Sequence, residues 1–415
     1  MKTQTTSAHG DGSTARQWAP LRVLSTRAAR TLAYAAAFGA LLFGASGCGY
    51  QMYTRPGLPA APVAATDEIS LRLLLVGDLG EEVITRTQGW PLLDRLTQDL
   101  QSGARTAVVL LGDNVYPAGV PAESDTPEAQ AAERIVRAML AAAAPADDVL
   151  FVPGNHDWND SHPGGLERIL AQDALIRRLT EPEDRARLIP SGGCPGPASL
   201  DLSPGVRLVA IDTEWLLTAE DPRRKPLGGQ TGCVHGPTDA PTPFPDDQLT
   251  TEAFYRALEV QLQDVEGRVV MLLAHHPLRS RGPHGGHLGG TWLPFLWPAV
   301  KRLFPTPQDF GSDANQRMRA RIDEVLGRTD ADLIIAAAGH DHNLQLFEAS
   351  SGAYYLVSGA GSKTSPAGRT PQTLFKHGAH GYMRVDVLVD GNVQLAVVEP
   401  GTDRPPLSIR LRRRE

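Results

Sequence analysis

The stretch Gly339-His340-Asp341-His342 is where residue types and spacing most directly suggest chemistry. It follows the apolar run 333–338, and an apolar run of that length bounded by glycine is typical of a buried β-strand. Side chains two residues apart in an extended backbone point to the same side, so His340 and His342 can face one cavity. Imidazole nitrogens bind transition metals and zinc, often together with carboxylates. The stretch therefore predicts a metal site, provided that other segments supply carboxylates.

Four other apolar runs also end in side chains that can bind metals or transfer protons. These ends carry Asp78, then Asp113 with Tyr116, then Asn155 with His156, and finally His275. Taken singly, each residue has an ordinary structural role, since an Asp caps helices, an Asn holds left-handed turns and a Tyr packs in cores. Capping does not explain two hydrophobic strands that end in His. The joint pattern favours one shared site at a sheet edge, where ligands bind in open α/β sheets.

The elements that would position these side chains alternate between strands and helices in the first half of the chain. Strand–turn–helix units begin near residues 71, 106 and 149, and such units predict a sheet covered by helices. After residue 340, short strands separated by turns such as Asp390-Gly391-Asn392 predict antiparallel pairing. The predicted fold class is therefore α/β with an antiparallel section, that is, α/β (α+β).

Five blocks in this order resemble the motifs of the calcineurin-like metallophosphoesterases, and most closely those of the purple acid phosphatase branch. The blocks are Gly-Asp-x-Gly at 77–80, Gly-Asp-x-x-Tyr at 112–116, Gly-Asn-His-Asp at 154–157, Leu-x-x-His at 272–275 and Gly-His-x-His at 339–342. Most of the wider family has Asp-x-His in the first block, where this chain has Gly80. The purple branch lacks that His and has a Tyr three residues after the second Asp. The resemblance covers about residues 71–398 and implies a four-layer α/β/β/α sandwich of two mixed β-sheets flanked by helices.

The resemblance also implies a centre that binds two metal ions. One ion would be bound by Asp78, Tyr116 and His342. The other would be bound by Asn155, His275 and His340, and Asp113 would bridge the two. A phenolate beside carboxylates and imidazole suits Fe(III), and the second set of ligands suits a divalent ion such as Fe, Zn or Mn.

Catalytic roles for three further residues follow from the same resemblance. Metal-bound hydroxide would attack phosphorus in line with the leaving oxygen. His156 and His284 match positions that contact the phosphate or the leaving group, and Asp157 would orient a neighbouring group. The implied activity is an acid phosphatase that hydrolyses phosphate monoesters. A phosphodiesterase acting on nucleotides or lipid head groups would use the same two ions, and a non-catalytic binding lipoprotein of this fold is a third interpretation.

Two departures from the family pattern lie close to the predicted site. His276 stands where this branch usually has a Tyr before the Pro, which predicts an altered pocket wall. Arg279 and Arg281 follow shortly after and could clamp a phosphate. The alternative is that both are solvated surface charges, because Arg is mostly exposed in proteins.

Residues 1–47 have the pattern of an export signal. Five basic residues and one acidic residue lie before the uncharged apolar run 31–47. Small residues followed by Cys48 resemble a bacterial lipobox, which implies cleavage before Cys48 and lipid on its sulfur. One alternative is an N-terminal helix that stays as a membrane anchor, because the run is nearly long enough to span a bilayer. The other is a plain cleaved signal without lipid. All of these interpretations place the rest of the chain outside the cytoplasm, in the bacterial cell envelope.

The remaining chain divides by composition. We predict a lipid-attachment Cys and Pro/Ala-rich tether at 48–68, a phosphoesterase domain at 69–400, and a C-terminal strand with a basic tail at 401–415. Cys194 and Cys233 lie among loop-forming residues, where a disulfide is more common than a metal site in an exported protein. The formal charge of −7 gives no indication of nucleic-acid binding.

Overall fold

Two mixed β-sheets dominate the computed structural model, which describes residues 49–86, 89–101, 103–221, 250–285 and 306–414. The strands of these residues are β1 (Tyr53–Thr54), β2 (Ile69–Val76), β3 (Arg105–Leu110), β4 (Asp148–Phe151), β5 (Ala186–Leu188), β6 (Ala198–Ser203), β7 (Val206–Ala210), β8 (Val269–Leu273), β9 (Leu333–Ala338), β10 (Leu344–Glu348), β11 (Tyr354–Ser358), β12 (Thr373–His377), β13 (Tyr382–Leu388), β14 (Val393–Val398) and β15 (Leu407–Leu411).

Each sheet has a parallel section and an antiparallel section. The first sheet has the strand order β15-β14-β13-β2-β3-β4-β5, with β2 to β5 parallel. The second has the order β1-β12-β10-β11-β9-β8-β7-β6, in which β11, β9, β8 and β7 are parallel. Parallel strands bring their carboxyl ends to the same edge of a sheet. The residues that follow β2, β3, β4, β8 and β9 therefore collect at two neighbouring edges.

Helices cover the outer face of each sheet. The helices of the described residues are α1 (Pro91–Leu100), α2 (Pro127–Ala142), α3 (Gly165–Thr180), α4 (Thr213–Glu220), α5 (Thr251–Gln261) and α6 (Asp313–Arg328), with 3-10 turns at Thr66–Glu68, Glu82–Thr85 and Asn159–Ser161. Helices α1 to α3 pack on the first sheet and α4 to α6 pack on the second.

The inner faces of the two sheets form a third hydrophobic cluster between them. In β2, Leu71, Leu73 and Leu75 belong to this inner cluster, whereas Leu74 and Val76 face the helices. A strand that is buried on both faces needs apolar residues throughout, which explains the continuous apolar run in the sequence. The predicted four-layer sandwich of two mixed sheets with flanking helices is confirmed.

Several short elements were not predicted by the periodicity of the sequence. Strand β6 reads Ala-Ser-Leu-Asp-Leu-Ser and lies at the edge of its sheet, where polar side chains meet solvent. Strands β5, β10 and β12 are only three to five residues long. The apolar pattern of residues 251–265 predicts a helix over that whole range, but helix α5 ends at Gln261. These elements depend on pairing partners distant in the chain, which local patterns do not reveal.

The Pro/Ala-rich segment that was predicted as a tether is hydrogen-bonded to the sheets. The carbonyl of Gly49 accepts from Ala367 N at 2.9 Å and from Lys376 Nζ at 3.1 Å. Strand β1 then pairs with β12, and Ala61 N donates to Ser408 O at 2.8 Å. The chain is thus attached to the sheets from the first described residue onward.

The predicted export signal, Cys48 and Cys233 lie outside the described residues. Cys194 is disulfide-bonded. Among the described residues, no helix is both long enough and apolar enough to cross a bilayer.

Candidate metal centre

Tight turns at the ends of β2, β3 and β9 aim three side chains into one cavity. Asp78, Asp113 and His340 have φ angles of 58°, 54° and 69°, in the left-handed region that non-glycine residues rarely adopt. Such residues cost on the order of 1–3 kcal/mol each and persist only where their surroundings fix them. The turn before His340 is also tightly packed. A side chain at Gly339 would not fit, because its Cβ would lie 2.5 Å from Asp78 Oδ2. Three of the eight non-glycine residues with a positive φ angle in the described chain are therefore predicted ligands.

The first group of donor atoms comprises side chains of Asp78, Tyr116 and His342. The Tyr116 hydroxyl lies 3.2 Å from Asp78 Oδ1 and 3.4 Å from His342 Nε2, and the last two atoms are 3.3 Å apart. The other carboxylate oxygen of Asp78 accepts from His340 N at 2.7 Å, which fixes the direction of Oδ1. The group thus offers carboxylate, phenol and imidazole donors to one point.

The second group comprises Asn155, His275 and His340. His275 Nε2 lies 2.9 Å from Asn155 Oδ1, and His340 Nδ1 lies 3.2 Å from the same oxygen. The Asn155 amide nitrogen donates to Asp160 Oδ1 at 2.6 Å, so its carbonyl oxygen faces the group. His275 Nδ1 is 2.8 Å from Leu111 O. Because a carbonyl only accepts, Nδ1 carries the proton and Nε2 presents its lone pair.

Asp113 lies between the two groups and contributes one oxygen to each. Its Oδ2 accepts from the Tyr116 hydroxyl at 2.9 Å, and its Oδ1 lies 3.3 Å from His275 Nε2. Oδ1 also accepts from His156 N at 3.0 Å, which holds the carboxylate plane in place. The structure therefore brings together all seven residues predicted as metal ligands, in the two groups described.

The electrostatics of these groups fit a bound cation. Burial, followed by the charges of Asp113 and Asp78, raises the pKa of Tyr116 well above its usual value. Burial is the main cause that holds the pKa of His340 well below its usual value, and electrostatic repulsion from His284 is the next. The His340 imidazole is therefore neutral, as a metal ligand must be. Converging lone pairs of carboxylate, phenol and imidazole repel one another unless a proton or cation lies among them. A cation at this point would favour the phenolate.

His156 lies at the rim of the centre and is half-buried. Its Nδ1 is 2.5 Å from Pro117 O, so Nδ1 carries a proton and donates it. Its Nε2 is 3.9 Å from Asp113 Oδ2, and its ring contacts the Tyr116 ring edge to face with 4.5 Å between centroids. The fixed tautomer leaves Nε2 directed at the space beside the Asp113 carboxylate.

His284 lies on the other side of the centre, beside the second group. Its ring centroid is 4.2 Å from that of His340, and its Nδ1 is 3.0 Å from Asp309 Oδ1. Its backbone N–H donates to Asp341 Oδ1 at 3.0 Å, which links this loop to the residue between His340 and His342. Neither Asp309 nor Asp341 was predicted from the sequence as a partner of His284.

Asp157 is buried behind the centre and does not face its cavity. Its carboxylate accepts from the backbone N–H groups of Gly154, Asn114 and Val115 at 2.8–3.2 Å, and from the Asn114 amide at 2.9 Å. Burial, followed by the charge of Asp113, raises the pKa of Asp157 to about 7. The residue joins the turn after β3 to the turn after β4.

Lys363 is a neighbour of the centre that was not assigned from the sequence, whereas Arg279 was assigned either a phosphate contact or a solvated position. Lys363 Nζ lies 3.6 Å above the Tyr116 ring centroid and 2.5 Å from Glu81 Oε1. Lys363 follows β11, which is parallel to β9, so its position at this edge could have been found from topology. Arg279 does not face the centre, because it pairs with Asp323 at 2.7 Å and stacks on Tyr355.

His276 is fully buried beside the second group. Its Nδ1 lies 2.8 Å from Thr213 Oγ1, and its ring centroid is 4.4 Å from that of His340. Its Nε2 is 3.7 Å from Glu214 Oε2. The residue packs against His340 in the interior, and an altered pocket wall stays a prediction.

Comparison with solved structures shows the same fold in proteins of low sequence identity. GAP50, the anchor in the inner membrane complex of Plasmodium, is 15% identical with a TM-score of 0.51, covering 84% of this chain and 90% of that one. The purple acid phosphatase PPD1 from yellow lupin (Lupinus luteus) seeds is 14% identical with a TM-score of 0.50, covering 82% of this chain. The chain spans 53% of the length of the lupin protein. No curated protein sequence matches the chain.

A match to a family model covers both donor groups of the centre. The model of the calcineurin-like phosphoesterase family matches residues 71–344, which is well over half of the chain and includes every residue of the two donor groups. The chain belongs to the calcineurin-like phosphoesterases.

Proposed function

We propose that this chain is an exported phosphohydrolase with two metal ions, and that it cleaves phosphate monoesters. The observation that carries the proposal is the position of Asp113, whose two oxygens face two separate groups of donors. A carboxylate in this position suits two cations a few ångströms apart, as in phosphatases with two metals. The buried His and Asp clusters around it are of the kind that holds metal ions.

The donor sets favour different ions in the two positions. Asp78, Tyr116 and His342 offer two anionic oxygens and one nitrogen once the phenol is deprotonated, which suits Fe(III). Asn155, His275 and His340 offer a neutral oxygen and two nitrogens, which suits a divalent ion such as Fe, Zn or Mn. When bound, the two ions would supply Lewis acidity to the phosphoryl oxygens and would acidify the attacking water.

In this proposal, His156 and His284 move protons at the substrate. His156 donates from Nδ1 to Pro117 O, so its Nε2 is the atom available to a phosphate beside Asp113. The contact of Asp309 with His284 Nδ1 orients the other imidazole in the same way. Protonation of the leaving oxygen by such a group contributes roughly 10²–10⁴-fold to a rate.

A substrate panel on metal-analysed protein tests the proposal. Aryl and alkyl phosphate monoesters, nucleotide diesters and lipid head-group diesters are compared across pH 4–9, with Asp113→Asn as the inactive variant. Asp390→Asn, in an exposed turn, is the matched control that should retain activity. We expect monoesters to be hydrolysed fastest. A preference for diesters would establish the phosphodiesterase alternative, and no hydrolysis by protein that holds two ions would establish a binding role.

We also propose that the chain is exported and held in the cell envelope by lipid on Cys48. The support is the basic, apolar and small-residue pattern that precedes Cys48. Cys48→Ala should release the protein from the membrane fraction. If the variant stays in that fraction, an N-terminal helix is the anchor instead.

A further inference from the structure

A cavity of about 480 Å³ lies where the chain enters the sheets, and its lining combines apolar and cationic side chains. Met52 and Tyr53 line one side, with Arg281, Arg369 and Lys376 around them. Met52 is 53% exposed and the neighbouring Tyr50 is 42% exposed. Most large apolar residues of the described chain are buried, so two exposed ones beside three cations form a distinct surface.

The two arginines of this surface, Arg281 and Arg369, have capacity left for an anion. Arg281 Nε is buried and makes no hydrogen bond to the described residues, and its NH1 reaches only Gly285 O, at 3.5 Å. Arg369 is exposed and stacks on the Tyr53 ring at 5.0 Å. A guanidinium group in these surroundings can bind a phosphate with two parallel hydrogen bonds.

The same surface is joined to the rim of the metal centre by one short segment. Ala367 N donates to Gly49 O at 2.9 Å, Gly368 N donates to Arg281 O at 2.8 Å, and Ser365 N donates to His342 O at 2.6 Å. Because only one residue separates Ser365 from Ala367, Gly49 and the backbone of His342 lie within about 15 Å of each other. A membrane attachment through residue 48 would therefore have no free spacer and would hold this face at the bilayer.

We propose that the face formed by Tyr50, Met52, Arg281 and Arg369 docks on an anionic phospholipid bilayer. The two apolar side chains enter the interface between head groups and acyl chains, and the two guanidinium groups bind lipid phosphates. The docked face keeps the metal centre close to the membrane surface. This proposal rests on the membrane attachment proposed above, and the experiment below separates the two.

The test uses the full chain with a solvent-sensitive fluorophore on Met52→Cys. The matched control is Val260→Cys on α5, because Val260 is 54% exposed and Met52 is 53% exposed. Both labelled proteins are placed in nanodiscs of phosphatidylcholine alone or with 30% phosphatidylglycerol. Quenching by acrylamide, which carries no charge, reports the exposure of each label to water.

We expect the label at position 52 to be protected in anionic nanodiscs, with no change at position 260. Arg369→Gln should reduce the lipid affinity roughly fivefold, the effect of one cation at an anionic surface. Arg256→Gln, an exposed cation of α5, should leave it unchanged. Equal quenching at both positions in anionic nanodiscs would overturn the docking face.

Two other outcomes have defined meanings. Protection of position 52 by inorganic phosphate without lipid would show that the cavity binds free anions. That result would overturn the proposal that the face docks on a bilayer. If the chain does not enter nanodiscs at all, the anchor of the previous subsection is wrong. In that case the docking face is judged by anionic vesicles added to the chain in solution, where an unprotected label at position 52 overturns it.

Discussion

The ammonium group of Lys363 lies 3.6 Å above the ring centroid of Tyr116. The same ammonium pairs with Glu81 Oε1 at 2.5 Å, and the loop that carries it donates from Ser362 N to Asp78 O at 3.0 Å. A cation over an aromatic face is attracted by about 1–2 kcal/mol, and the attraction is larger for a phenolate than for a phenol. Lys363 therefore acts on Tyr116 without touching its oxygen.

Lys363→Met should move the tyrosinate-to-iron absorption band of Fe(III)-loaded protein to longer wavelength. The ammonium lowers the energy of the phenolate orbitals that donate the electron, so its removal narrows the gap to the metal. Lys363→Arg keeps the charge and should keep the band near its original position. Visible spectra of the three proteins with equal iron content decide the matter, and coincident bands would show that Lys363 has no effect on the tyrosinate.

Asp113→Asn should remove the second metal ion and most of the activity. The amide replaces one bridging oxygen with an NH2 group, which cannot bind a cation. Loss of an outer partner of a metal ligand costs roughly 10–100-fold, and we expect the bridging ligand to cost more than that. Metal analysis after dialysis, together with kcat on an aryl phosphate, measures both effects. A variant that keeps two ions per chain and normal turnover is incompatible with a bridging role.

Asp309→Asn should slow the hydrolysis of alkyl phosphates more than that of aryl phosphates. Alkoxides are poor leaving groups and need protonation by His284, whereas a nitrophenolate leaves without it. With the contact between Asp309 and His284 Nδ1 weakened, we expect kcat on alkyl substrates to fall roughly 10–100-fold, within the range of general acid catalysis. An equal loss on both substrate classes would indicate that Asp309 only supports the loop, through its bonds to Thr306.

The buried carboxyl of Asp212 should make the metal-free protein less stable as the pH rises from 4 to 6. Burial raises the pKa of Asp212 from 3.8 to about 6, although its carboxylate accepts from Trp158 Nε1 and Trp215 N. In this window the folded state holds a proton that the unfolded chain has released, so a higher pH favours unfolding. The loss is up to about 3 kcal/mol, because one pKa unit corresponds to about 1.4 kcal/mol.

Urea unfolding of the chelated protein and of Asp212→Asn at pH 4 and pH 7 measures this effect. The variant has no proton to lose, so its stability relative to the native protein should increase with pH, whatever constant cost the amide brings beside Trp158. A difference in the free energy of unfolding that does not change with pH would show that Asp212 titrates normally.

The sequence predicted the layers of the fold and the strand ends that form the centre. The reason is local, since buried strands such as β2 need continuous apolar residues and the turns after them carry their polar residues in short motifs. The placement of Lys363 and Asp309 could not be predicted in this way. Lys363 reaches Tyr116 because β11 runs parallel to β9. The apolar sequence of a strand does not show which other strand it pairs with.

The attachment of Gly49 to the sheets was also beyond local prediction. A Pro/Ala-rich composition favours an extended chain, but it does not show whether that chain is solvated or bound. The bonds to Ala367 and Lys376 come from residues more than 300 positions away. Similarly, the periodicity of residues 251–265 extends past the real end of α5, because it records burial and not hydrogen bonding.

The division of one carboxylate between two donor groups has a thermodynamic consequence for metal loading. If metal ions bind at both donor groups, an ion at one group would polarise the carboxylate of Asp113, so the occupancy of either group would change the affinity of the other. Linkage requires this change to be the same in both directions. Assembly of such a centre would then be a coupled equilibrium, in which the order of addition of the two metals affects the rate of loading but not the final composition.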